Sequence, residues 1–439
     1  MGVLPHGEAP DCDSLTWHRI STARLHADRG LPWHGVALVA SADVPGAPSI
    51  LDGVRDRFAA STDFTVGLEE EYQLLDPASM ALVQRFEDVF DTAPPDLKPH
   101  LAGELITSEI EYKTSPHLEF AGAARELAEG RLAVVRHAES LGIATATTGC
   151  HPFSPWQDQR IIDTPHYARV EGELGYIAWI NNTWSQHLHV GIRDADRAIR
   201  ICTAMRSVLP EILALSANSA VYLGRLTRLH STRTSLFTRS FPRCGIPDPL
   251  IDFDEYADFV RLLERTGSIV ESTQIWWSIR PHHDFGTIEV RIADGQTDMV
   301  EALGILALSL ALVARFADDF DAGMPLPAHP GRLVEENLWR AQRHGLDGRM
   351  IDFATGEERT TPDALRALLE YTAPVHDRLG LGPFLAVVPR MLDHGNGAQR
   401  QVRAMAAGQD LVEMHAQAAE RTRRSAEEAL EMIGPVITT

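Results

Sequence analysis

The chain has 439 residues, 44% of them hydrophobic and 23% charged, which is ordinary for a soluble globular protein and enough for one large domain or two smaller ones. A formal net charge of −21 at pH 7 argues against a nucleic-acid or anionic-membrane surface, because both require a basic face. Cys12, Cys150, Cys202 and Cys244 have no CxxC or zinc-like spacing and read as buried free thiols.

Residues 1–62 carry few signals. Trp17-His18 and Trp33-His34 repeat weakly, and Val44 to Pro48 is a turn-rich joint ahead of a short helix expected over 49–59. The region reads as an N-terminal extension placed at an oligomer contact. No basic segment followed by an apolar one opens the chain. The longest apolar run, Leu303 to Ala314, falls short of the ~20 residues a membrane span needs. A cytoplasmic protein without a membrane partner is expected.

The first strand, expected over 65–75 (TVGLEEEYQLL), holds three consecutive glutamates. Successive side chains on a strand alternate faces, so Glu69, Glu71 and Gln73 point one way and Val66, Leu68, Tyr72 and Leu74 the other. Glu70 falls on the apolar side, where it requires a bulge or a basic partner. Carboxylates about 6–7 Å apart on one face repel each other unless a cation lies between them.

Three later segments repeat the pattern. Glu109 and Glu111 share a face in SEIEYKT, His187 and His189 in QHLHVGI, and Glu289 and Arg291 in TIEVRI. Four strands with polar i, i+2 pairs on one face imply an antiparallel sheet, its apolar face on helices and its acidic face lining a cavity. Carboxylates with an occasional imidazole suit Mg²⁺ or Mn²⁺.

Between and after these strands, helices are expected over 118–141, 194–216 (capped by Asp194), 254–265 and 299–320, with a buried strand over 143–149. Segment 223–249 is rich in arginine, including Arg233, and suits an anionic substrate or phosphate, although any one of these arginines is as readily a solvated charge. Ile275 to Arg280 leads as a strand into the Glu289 strand, forming a hairpin-like pair. The remainder reads as helices over 333–344, 362–379, 382–392 and 397–432. The fold class is α+β, in one domain over 63–435 with a helical C-terminal region.

The segments GLEEEYQLLD, ELITSEIEYKTSP, TTGCHPF, QHLHVGI, TIEVRIAD, ENLWRAQRHGLD and HGNGAQRQ, in that order, resemble the type 2 glutamate–cysteine ligase family of carboxylate–amine ligases. The resemblance implies a glutamine synthetase/guanido kinase-like fold, with an antiparallel sheet curved into a funnel. It also implies that ATP phosphorylates a carboxylate, usually that of glutamate, and that an amine such as cysteine displaces phosphate to leave an amide. ATP and Mg²⁺ follow as cofactors, about two or three ions screening the phosphates, with Mn²⁺ as a substitute. No P-loop or GxGxxG motif is present, so ATP is implied by the resemblance alone.

Residue by residue, the resemblance makes Glu69, Glu71, Glu104, Glu111 and Glu289 metal ligands. It places His187 and Arg291 at the nucleotide phosphates and metal, with Arg280 beside them. Glu104 and Glu111 differ in strand parity, so a turn or bulge must separate them. Arg233, His189 and Trp277 become substrate-binding candidates, although Trp276 and Trp277 fill a core equally well. The arginine-rich loop departs from the family pattern, with Thr232 where an aromatic is common, and that loop helps set which acid and amine are accepted. Small amino-acid and amine substrates and a homo-oligomer are implied. Two other functions fit the acidic cavity: a metal-dependent amide or phosphoester hydrolase, and a catalytically idle ligand-binding relative.

Overall fold

The computed structural model describes residues 49–435. The expected extension therefore lies outside the described residues as far as position 48. From there a short helix, Val54–Ala60, buries Val54 and Phe58, and Arg57 donates to the His283 carbonyl at 2.6 Å.

Among the described residues, seven strands form one open, wholly antiparallel sheet: β1 (Val66–Leu75), β2 (Leu101–Ala102), β3 (Glu109–Lys113), β4 (Ala144–Ala146), β5 (Gln186–Gly191), β6 (Ile279–His282) and β7 (Thr287–Val290). The order across the sheet is β6-β7-β5-β1-β3-β2. One edge of β1 is shared, with β5 pairing over Val66 to Glu70 and β4 over Gln73 to Leu75. The expected hairpin of β6 and β7 forms, and β6 runs through Pro281. A proline is tolerated there because β6 is an edge strand whose outer side needs no ladder donor.

Helices Phe120–Ser140, Ala195–Met205, Met299–Asp321 and Leu411–Ile433 cover the apolar face of the sheet. Met299–Asp321 is long and apolar enough to cross a membrane, but 89% of its apolar window is buried within the fold. Gly130 in the first of these helices leaves room for the Tyr112 ring, which an added Cβ would meet at 2.2 Å.

Glu70, the carboxylate on the wrong face of β1, is fully buried and paired with the equally buried Arg131 of helix Phe120–Ser140. Arg131 Nε donates to Glu70 Oε2 at 2.9 Å, and Arg131 also donates to the carbonyls of Gln296, Thr297 and Thr422. The basic partner that the alternation requires thus comes from a helix.

Several expected helices are divided. The span 194–216 breaks into Ala195–Met205 and Leu209–Ser216, because Pro210 has no N–H and its ring clashes with the carbonyl four residues earlier. The span 397–432 breaks after Ala406, where Gly408 is left-handed (φ 74°) and Asp410 caps the next helix. The span 382–392 is also two pieces, Gly382–Leu385 and Val387–His394. A small hairpin, Arg349–Ile351 with Glu358–Thr360, interrupts the helical C-terminal region. Ile275 to Arg280 is not one strand, since Trp276–Trp277 pairs in parallel with Cys244–Gly245 before β6 begins.

Candidate active site

The strand register lays the polar pairs out as a grid. Glu69 on β1 faces Lys113 on β3 and His187 on β5, and Glu71 faces Glu111. Glu289 on β7 faces His189 on β5 and Arg280 on β6. These side chains floor a cavity of about 400 Å³ that Glu104, Arg233 and Arg291 also line. Glu104 reaches it from the turn between β2 and β3, which supplies the break in parity that Glu104 and Glu111 require.

Trp277 is the exception among the expected site residues. It stacks on Phe259 at 5.3 Å and meets Tyr256 at 5.9 Å within the hydrophobic core, and Trp276 lines the cavity in its place. Adjacent residues of a strand face opposite ways, so only one of the two can reach each side.

His187 Nδ1 lies 3.0 Å from Glu69 Oε2, and His189 Nε2 lies 3.3 Å from Glu69 Oε1. Ser185 holds Glu71, its hydroxyl donating to Oε1 at 2.7 Å, and lies 2.9 Å from His187 Nε2. Glu289 is fixed between two arginines, Arg280 through its Nε and Arg291 through its Nη1. Burial opposes the charge of Glu289, but Arg280 and Arg291 outweigh it and hold the carboxyl well below the usual range. Glu69 behaves likewise: burial raises it, while His189, His187 and Lys113 together hold it low.

The β3 side is different. Burial and Glu104 push Glu71 up to about 7. Burial with Glu71, and burial with Glu69, push Glu109 and Glu111 well above the carboxylate range. Glu109 Oε1 and Glu111 Oε1 are buried without a hydrogen-bond partner among the described residues. Burial and the Arg291 charge lower His187 to about 4, leaving a neutral imidazole able to donate a lone pair.

Among the described residues, seven carboxylates (Glu69, Glu71, Glu104, Glu109, Glu111, Asp284, Glu289) share the cavity with four permanent cations (Lys113, Arg233, Arg280, Arg291). Glu69, His187 and Glu289 bring ligand atoms within 4.8 Å of one another, and so do Glu71, Glu111 and His187. Orphaned carboxylate oxygens, acids displaced upward by burial and mutual repulsion, and an oxygen-rich donor set with one neutral imidazole fit hard divalent cations.

Sequence reasoning left several residues of this site unassigned. Glu109 shares the parity of Glu111, so the alternation already carried that signal. Lys113, which lies 2.7 Å from Glu111, continues the same face. Asp294 is fully buried, accepting from the Asn218 amide at 2.9 Å and from the hydroxyls of Ser219 (2.7 Å) and Ser231 (2.8 Å). It secures the segment that carries Arg233, and no local pattern marks it.

The model of glutamate–cysteine ligase family 2 matches residues 65–429. The chain belongs to this family. Glutamate–cysteine ligase family 2 relatives include a candidate glutamate–cysteine ligase 2-2 of Rubrobacter xylanophilus, 34% identical over 82% of this chain and 91% of that protein. A candidate glutamate–cysteine ligase 2 of Herpetosiphon aurantiacus is 35% identical over 77% of this chain and 88% of that one. In fold, this family 2 chain is similar to a glutamate–cysteine ligase of Francisella tularensis solved in complex with AMP (TM-score 0.59, 10% identity, 85% of this chain and 93% of that one). It is also similar to a bifunctional glutathione synthetase of Pasteurella multocida (TM-score 0.61, 16% identity, 85% of this chain), of which it spans 54%. Membership of glutamate–cysteine ligase family 2 makes the chain a carboxylate–amine ligase, an enzyme that makes amide bonds with ATP.

Proposed function

We propose that this ligase activates the side-chain carboxylate of glutamate, or of a related amino acid, as an acyl phosphate and passes the acyl group to an amine. The observation that carries the reading is the pair of ligand groups sharing His187 on the cavity floor, with Arg291 and Arg233 alongside. A hydrolase needs a metal-bound water but not so much fixed positive charge. Phosphoryl transfer requires that charge, because its catalysis is largely positioning and electrostatics.

Glu69, Glu71, Glu104, Glu111, Glu289 and His187 would hold about two or three divalent cations, Mg²⁺ or Mn²⁺. Bound there, the cations would screen the phosphate charges. Arg291 would neutralise the transferring phosphoryl group, Arg280 would keep Glu289 oriented, His189 would face the substrate side, and Arg233 would bind a substrate carboxylate. The carboxylate oxygen attacks the terminal phosphorus and ADP leaves. The amine lone pair then attacks the acyl carbon, the carbon–oxygen bond breaks with its electron pair onto phosphate, and the nitrogen loses a proton to a cavity carboxylate.

Glu69→Gln and Glu289→Gln keep size but remove a ligand charge. Each is expected to lower kcat for glutamate-dependent ADP release at least about a hundredfold and to leave the far-ultraviolet spectrum unchanged. Wild-type turnover in either purified variant would overturn the assignment.

A further inference from the structure

The cavity has an apolar side that forming an amide with a small amine does not require. Phe237, Phe241 and Trp276 form a continuous aromatic wall, with ring centroids 4.8 Å and 5.4 Å apart. Phe241 is buried, whereas Phe237 and Trp276 keep part of their surface open, and all three line the cavity. Leu105 and Val170, both buried, line it as well. Half-covered rings inside a cavity are apolar area left for a ligand to bury.

Beside the wall lies Arg233, only 2% exposed, its guanidinium 5.7 Å from the Phe237 ring centroid. Its Nη1 and Nη2 donate to the carbonyls of Ile292 (3.1 Å) and Arg291 (3.3 Å). Its Nη1 also lies 4.0 Å from the buried Asp294 carboxylate, and its Nε is buried with no partner among the described residues. The unmet Nε donor calls for one more acceptor, which the carboxylate oxygen of a substrate would supply.

The nucleotide base has another surface available. Phe285, 59% exposed, stacks flat on His282 at 4.3 Å, and both line the cavity. His282 belongs to β6, whereas Trp276 belongs to the separate strand pair with Cys244–Gly245, so the two aromatic surfaces are carried by different sheets.

We propose that the amine substrate is an α-amino acid with an aromatic or large aliphatic side chain, packed against Phe237, Phe241 and Trp276 with its carboxylate on Arg233. The inference rests on the ligase reading and goes further by naming the class of acceptor.

The test uses the full chain with MgATP, amino acids supplied in all acid–amine pairs, ADP release as the rate and mass spectrometry for the product. Phenylalanine, tyrosine, tryptophan, leucine and methionine should exceed cysteine, alanine and glycine as acceptors by at least about tenfold in kcat/KM, the discrimination that a few buried methylenes provide. Trp276→Ala should raise KM for the bulky acceptor by at least about tenfold and not the KM for ATP, and Trp276→Phe should restore most of the affinity. Preference for a small acceptor, or a bulky apolar group found on the acid, would overturn the proposal and leave the ligase reading standing. A rise in KM for ATP in Trp276→Ala would assign the wall to the base and overturn it equally. Absence of amine-dependent ADP release with every pair would overturn both readings together.

Discussion

In the proposed metal site, Glu71 joins stability and ligation in one side chain. Burial and Glu104 raise its carboxyl from 4.5 to about 7 in the folded chain. Below pH 4.5 both states hold the proton and the folded protein loses nothing. As pH rises through 7 the folded state must ionise a buried acid, so that contribution is lost unless a cation takes the proton's place. Glu71→Gln cannot ionise. In EDTA it should match the wild type in thermal stability near pH 4.5 and exceed it near pH 8, and added Mg²⁺ should reverse the order at pH 8. An advantage that fails to grow with pH would refute the account. At this scale the sequence carried much of the site, because strand alternation needs only neighbouring residues. It assigned Glu69, Glu71 and Glu111 to one face and left Glu70 requiring a partner. It could not decide between Trp276 and Trp277, since the choice depends on which side of the strand meets helix Phe253–Arg265, which carries Tyr256 and Phe259.

The junction between helix Phe120–Ser140 and β1 turns on Glu70 and Arg131, both fully buried. Removing one member of such a pair leaves an uncompensated charge in the core. Arg131→Met should therefore cost about 3–5 kcal/mol in denaturant unfolding. Glu70→Leu combined with Arg131→Met should recover most of that loss, because a buried ion pair replaced by apolar groups of similar volume is close to neutral. A double variant no better than the single one would mean that the arginine matters mainly through its bonds to the carbonyls of Gln296, Thr297 and Thr422. Element existence was legible from hydrophobic period, as in Phe120–Ser140. Element breaks were less so. Pro210 and Gly408 were visible, but a long amphipathic run masks an interruption whose cause is only a missing N–H or one left-handed residue.

At the scale of the whole molecule, the last helix closes the fold. In Leu411–Ile433, Thr422 and Ser425 accept from Arg131, Ser425 also accepts from the Met299 amide at 2.9 Å, and Arg421 pairs with Asp298. A chain ending at Gln409 should show no cooperative melting transition and no Mg²⁺-dependent thermal shift. A sharp melt in that fragment would make the helix an accessory. The order β6-β7-β5-β1-β3-β2 was not legible in the sequence beyond the β6–β7 hairpin, because pairing between distant segments leaves no local trace. The same order has a consequence during synthesis. Glu69, Glu71, Glu109 and Glu111 leave the ribosome well ahead of His187, Arg280, Glu289 and Arg291. Until those arrive, β1 and β3 carry four inward carboxylates against the single ammonium of Lys113 on that face, a net negative surface, and surfaces of like charge repel one another. The acidity proposed to gather cations in the finished enzyme should thereby also disfavour contact between unfinished copies of the chain.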